Sequence, residues 1–85
     1  MAVNAPAVLE TLAVQSTEAG DLDQALRYYE EYMEFDDRNP QIIFNMAMIY
    51  KNKGEEETSD QLFGQVIMNF EDEELAAKAK EERGY

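Results

Sequence analysis

The 85-residue sequence contains no cysteine and no histidine. The first absence removes disulfides, zinc-thiolate sites and thiol nucleophiles. The second removes the usual neutral-pH general base, and together they leave neither a Ser-His nor a Cys-His pair for nucleophilic catalysis. Positive charge is also scarce: seven Lys and Arg face nineteen Asp and Glu, a formal net charge of −12. Phosphate contacts need cations, so this balance argues against nucleic acid and against an anionic membrane surface. It favours a neutral or basic partner, or else adaptation to a salt-rich setting in which the charge serves solvation alone. No window approaches the 18 apolar residues of a membrane span, so no membrane insertion is expected. The start Met-Ala-Val-Asn-Ala-Pro lacks the basic and apolar regions of a signal peptide. A cytoplasmic setting is therefore favoured, and a periplasmic one stays open if the chain is a piece of a longer protein.

What is present is helical periodicity, with no stretch that alternates apolar and polar in the manner of a strand. A first helix is expected from Pro6 to about Ala19, carrying Val8, Leu9, Leu12 and Ala13. Gly20 stops it, and Asp21 caps the next, with Gln24 in capping-box position. That second helix runs to about Phe35 with Leu22, Ala25, Leu26, Tyr29, Tyr32, Met33 and Phe35 on its apolar stripe, and is expected to be the most buried element. Asn39-Pro40 opens a third helix to about Lys53, carrying Ile42, Ile43, Met46, Ala47, Ile49 and Tyr50. Gly54 ends it. Glu55, Glu56 and Glu57 suit the positive N-terminus of a fourth, whose apolar face is Leu62, Phe63, Val66, Ile67 and Phe70. Gly64 inside that helix costs roughly 1 kcal/mol against alanine unless a neighbour needs the space. The run Glu71 to Glu74 opens a fifth helix with a narrow edge of Leu75, Ala76 and Ala79, ended by Gly84.

Advancing by 34 positions brings Pro6 onto Pro40, Leu9 onto Ile43, Leu12 onto Met46, Ala13 onto Ala47, Gly20 onto Gly54, Tyr29 onto Phe63, Tyr32 onto Val66 and Met33 onto Ile67. This resembles the tetratricopeptide repeat (TPR), a helix-turn-helix unit of that period. The motif positions read Leu9, Leu12, Ala13, Ser16, Ala25 and Tyr29 in the first copy and Ile43, Met46, Ala47, Tyr50, Ser59 and Phe63 in the second. Ser16 stands for the motif tyrosine, Asp37 and Glu71 for its closing proline, and Glu56 and Asp60 fall where the first copy has Leu22 and Leu26. The resemblance implies an all-α fold of five helices, antiparallel helix-turn-helix repeats stacked as a short right-handed superhelix. It places repeat 1 at about 6–39, repeat 2 at about 40–73 and a capping helix at about 73–83, all within a single domain.

The resemblance further implies a non-catalytic scaffold that holds a peptide or helix of a partner protein in a concave groove. Carried over residue by residue, that groove is lined by Glu10, Val14 and Thr17 from the first repeat and by Phe44, Met48, Lys51 and Asn52 from the second. Phe44, Met48 and Val14 are the expected apolar anchors, against the alternative that they pack on the fifth helix or a neighbouring repeat. The clamp that some relatives use for chaperone C-termini falls on Glu10, Val14, Asn45, Leu75 and Ala79. Only Asn45 fits it, so chaperone tails are not the expected ligand. The aromatic-acidic run from Phe70 also resembles a variant found in bacterial envelope TPR proteins, without its proline.

Asp21, Asp23, Asp36 and Asp37 lack the glycine and distal glutamate of a calcium loop, so no metal site and no cofactor are expected. Tyr29 and Tyr32 belong to the packed stripe, which leaves Tyr28 as the tyrosine to watch. No enzyme is expected. The alternative function is a self-assembly or spacer module that associates through the first helix, where Val3 and Val8 form an apolar patch, so the expected state is monomer or weak homodimer. A charge of −12 repels itself, and salt should therefore strengthen folding. If screening contributes about 1 kcal/mol, thermal denaturation followed by circular dichroism will show Tm rising by roughly 4–8 °C between low and high NaCl.

Overall fold

A computed structural model describes residues 5–83. Val3 of the apolar patch and Gly84 of the last stop lie outside the described residues. Five helices follow one another: α1 (Pro6–Glu18), α2 (Leu22–Phe35), α3 (Pro40–Asn52), α4 (Glu56–Asn69) and α5 (Glu73–Arg83). No strand occurs among the described residues. The chain separates after Arg38 into two compact units, one built from α1 and α2 and the other from α3, α4 and α5.

The first unit is a helical hairpin whose reversal is made by Gly20 at φ +82°. Its amide donates to the Thr17 carbonyl at 3.0 Å, and the Asp21 amide donates to the Ser16 carbonyl at 2.9 Å. These two bonds satisfy carbonyls that the end of α1 would otherwise leave orphaned. Asp21 then accepts from the Gln24 amide at 3.2 Å and caps α2. With three residues between helices that pack against each other, the two must run antiparallel. Leu9 and Ala13 of α1 are buried with Ala25, Leu26, Tyr29 and Tyr32 of α2. Phe35, expected on the same stripe, is instead 52% exposed, because it is the last residue of α2 and Asp36 turns the backbone extended just beyond it.

The second unit repeats this construction 34 residues later. Gly54 adopts φ +84°. Its amide donates to the Lys51 carbonyl at 3.0 Å, and the Glu55 amide donates to the Tyr50 carbonyl at 2.9 Å. Asn39 caps α3 by accepting from the Gln41 amide at 3.0 Å, with Pro40 at the first helical position. The core gathers Ile42, Ile43, Met46, Ala47 and Ile49 of α3, Ser59, Phe63 and Val66 of α4, and Leu75 and Ala79 of α5. The most buried helix is thus α3 rather than α2: both of its isoleucine neighbours Ile42 and Ile43 face the interior, and Ile49 adds a further side chain. α5 packs on both α3 and α4.

Several helix ends differ by a residue or two from the sequence-based limits. Ala19 and Lys53 are the C-caps of α1 and α3 and not their last turns. Phe70 lies past the end of α4 in extended backbone, so it leaves that helix's apolar face and is half-buried. Glu71 does not open α5; Asp72 does, accepting from the Leu75 amide at 2.9 Å. At Gly64 the nearby group is a side chain: a Cβ built there would meet Arg83 Nη1 at 3.6 Å and Cζ at 3.9 Å, ordinary contact distances.

The same substitution therefore has opposite signs at two glycines. Gly54→Ala puts a side chain at positive φ and should cost about 1–2 kcal/mol. Gly64→Ala gains helix propensity without a clash and should stabilise by up to roughly 1 kcal/mol. Urea denaturation of the two variants beside the wild type checks both signs.

Candidate functional site

The residues that the repeat resemblance assigns to a groove fall into two sets, one in each unit. In α1, Glu10, Val14 and Thr17 are spaced four and three apart, which places them along one face of the helix. Val14 is 40% exposed, and Glu10 is half-buried. The Thr17 hydroxyl donates to the Ala13 carbonyl at 2.8 Å, so α1 itself already uses its donor. In α3, Phe44, Met48, Lys51 and Asn52 recur at the same spacings, again on one face.

That α3 face is partly engaged within its own unit. The Phe44 ring meets Phe63 edge-on, with centroids 5.5 Å apart at 65°. Phe63 is fully buried, so Phe44 seals the side of the core while its remaining surface stays accessible. Phe44 is therefore both wall and surface. Met48 is likewise half-buried, and Asn52 is exposed. Asn45, one turn from Ile49, has its side-chain oxygen occupied by Gln41 Nε2 at 2.9 Å.

Lys51 is held by α5. Its ammonium donates to Glu82 Oε1 at 2.9 Å and to the Glu82 main-chain carbonyl at 3.0 Å. This was not legible in the sequence, because no local spacing links positions 51 and 82. Around the pair, Glu56, Ser59, Asp60 and Arg83 complete a cleft of about 280 Å³. Charges of both signs line it, and Ser59 contributes a buried residue at its floor.

On α2, Gln24, Arg27, Tyr28, Glu30, Glu31 and Glu34 line a shallow depression in which three glutamates face one arginine. Tyr28 sits there half-buried, whereas Tyr29 and Tyr32 are in the core as their spacing indicated. Among the described residues no group of three or more His, Cys, Asp or Glu is arranged to hold a metal ion. No helix among them is long and apolar enough to cross a membrane. Neither a protein-family model nor a curated protein matches the chain.

The dual role of Phe44 is measurable. Phe44→Ala should destabilise the protein by roughly 2 kcal/mol, less than a fully buried phenylalanine costs. A double-mutant cycle pairing it with Phe63→Leu should leave a coupling of about 0.5–1.5 kcal/mol for the ring contact. By contrast, Lys51→Ala should cost less than about 1 kcal/mol, since both partners of the ion pair are more than a third exposed.

Proposed function

We propose that this chain is a non-catalytic, TPR-like module that binds a peptide or helix of a neutral or basic protein partner, with the accessible face of α1 in one unit and that of α3 in the other as the candidate contact surfaces. One observation carries the repeat reading. Two hairpins 34 residues apart share the same glycine turn, the same pair of turn hydrogen bonds and the same buried positions: Leu9 and Ile43, Ala13 and Ala47, Ala25 and Ser59, Tyr29 and Phe63. Such units are interaction scaffolds, and nothing in the side-chain chemistry offers a nucleophile with its base.

Affinity in this reading comes from burying Val14, Met48 and the accessible part of Phe44. The net charge of −12 steers a basic partner and repels polyanions. Val14 is the cleanest probe because its exposure separates binding from folding. The three glutamates of the depression on α2 support the preference for a basic partner, and Tyr28 is its one aromatic side chain.

A second reading, self-association through α1, draws on the exposure of Val8 at 46% and of Val14 at 40%. Screening an array of neutral and basic peptides against the intact chain separates the two. For a selected peptide, Val14→Asp and Met48→Ala should each weaken binding at least about tenfold while leaving the circular dichroism spectrum unchanged. Peptide binding untouched by both variants, or none from the array, would sink the groove reading. Loss of a homodimer on Val8→Asp would favour the second.

A further inference from the structure

The four connections between helices are not equivalent. Those at Gly20 and Gly54 are fixed by a residue at positive φ and by two backbone hydrogen bonds each. The connection into α3 contains Asn39-Pro40, and the residue before a proline is driven away from helical backbone. The connection from α4 to α5, residues 70–72, has no such device. Phe70 is extended at φ −134° and ψ 155°, and the Asp72 contacts run forward into α5: its side chain accepts from the Leu75 amide and its carbonyl from the Ala76 amide. From Gln65 to Arg83 the sequence contains neither glycine nor proline. The break between the two helices is therefore held by the Asp72 cap and by what α5 contacts, and not by a glycine or proline in the connector.

Those contacts involve few fully buried side chains. α5 buries only Leu75 and Ala79, and its last turn is held by the solvent-accessible Lys51–Glu82 pair and by Arg83 lying against Gly64. We propose that α5 exchanges between two copies of this chain: residues 70–72 become helical, α4 and α5 fuse into one helix from Glu56 to Arg83, and each α5 docks on the α3–α4 face of the other copy. The occupant of that face is a second copy because only α5 itself is shown to fit it. The exchanged contacts, Leu75, Ala79 and the Lys51–Glu82 pair, are the same as in the monomer, which is why such swaps cost little in contact energy. The fused helix is roughly 42 Å long, a single continuous rod. What opposes exchange is the repulsion between two chains of charge −12, so the dimer is a species of high salt and high protein concentration.

Sedimentation of the intact chain up to about 1 mM, at low salt and at about 1 M NaCl where the screening length falls to ~3 Å, reads the exchange directly. The expected result is a monomer at low salt and a dimer growing with salt. Asp72→Ala removes the cap that only the closed form uses, and should raise the dimerisation constant about 25-fold, fivefold for each chain. Glu71→Pro should abolish the dimer with the monomer still folded by circular dichroism; Glu71→Gly, acting in the same direction, stands in if proline perturbs the fold. Lys51→Glu and Glu82→Lys each place like charges at the docking contact, yet mixed together they restore opposite charges at both sites of an exchanged heterodimer. Preferential heterodimer formation on mixing is therefore expected. Monomer throughout in both the wild type and Asp72→Ala, a dimer indifferent to Glu71→Pro and Glu71→Gly, or charge variants that show no preference for each other would overturn the proposal.

Discussion

Two backbone reversals govern this structure. A helix can turn back on itself within three residues only if one of them accepts left-handed backbone, and here Gly20 and Gly54 do so. Once the reversal is fixed, the side chains that face inward across each hairpin are fixed too. Ala13 and Ala25 in the first unit, and Ala47 and Ser59 in the second, are small residues that permit close approach, while Tyr29 and Phe63 fill the space that remains. An L side chain at either glycine would be strained and would loosen the packing of the hairpin that follows.

The departures from strict repetition are as informative as the matches. Leu26 is buried in α2, but its counterpart Asp60 in α4 is only half-buried and lines a polar cleft with Lys51, Glu82 and Arg83. The second unit therefore has a polar patch where the first has apolar packing, and a charged third helix, α5, closes over it. Carboxylates at positions 56 and 60 tolerate the neighbouring cations of α3 and α5, Lys51 and Arg83, in the same cleft. Composition and topology agree on this point: the unit with fewer apolar residues on its outer helix is the one that carries an extra helix.

Much of this was legible in the chain itself. Glycine, Asn-Pro and the 34-residue period located the helices and turns because each signal rests on local backbone chemistry. The α5 boundary was less clear, since Glu71 through Glu74 are equally suited to a first turn and only the Asp72 hydrogen bond selects the start. The candidate site was legible as helix faces but not as surfaces. Spacing puts Phe44 and Lys51 on one side of α3, yet it does not say that Phe63 takes part of the ring or that Glu82, 31 positions away, takes the ammonium. Such contacts depend on where α4 and α5 come to lie, which no local pattern encodes.

The distribution of aromatic residues has a practical consequence. The chain has no tryptophan, and among the described residues the buried tyrosines, Tyr29 and Tyr32, both belong to α2 of the first unit, whereas the second has the half-buried Tyr50 with Phe63 and Phe44. Near-ultraviolet dichroism of tyrosine thus has its buried chromophores in one hairpin, without any inserted label. The tyrosine band is thus an intrinsic optical reporter weighted toward the first unit, and a melting curve taken there can be compared with one taken on total helix to learn whether the two units lose structure together.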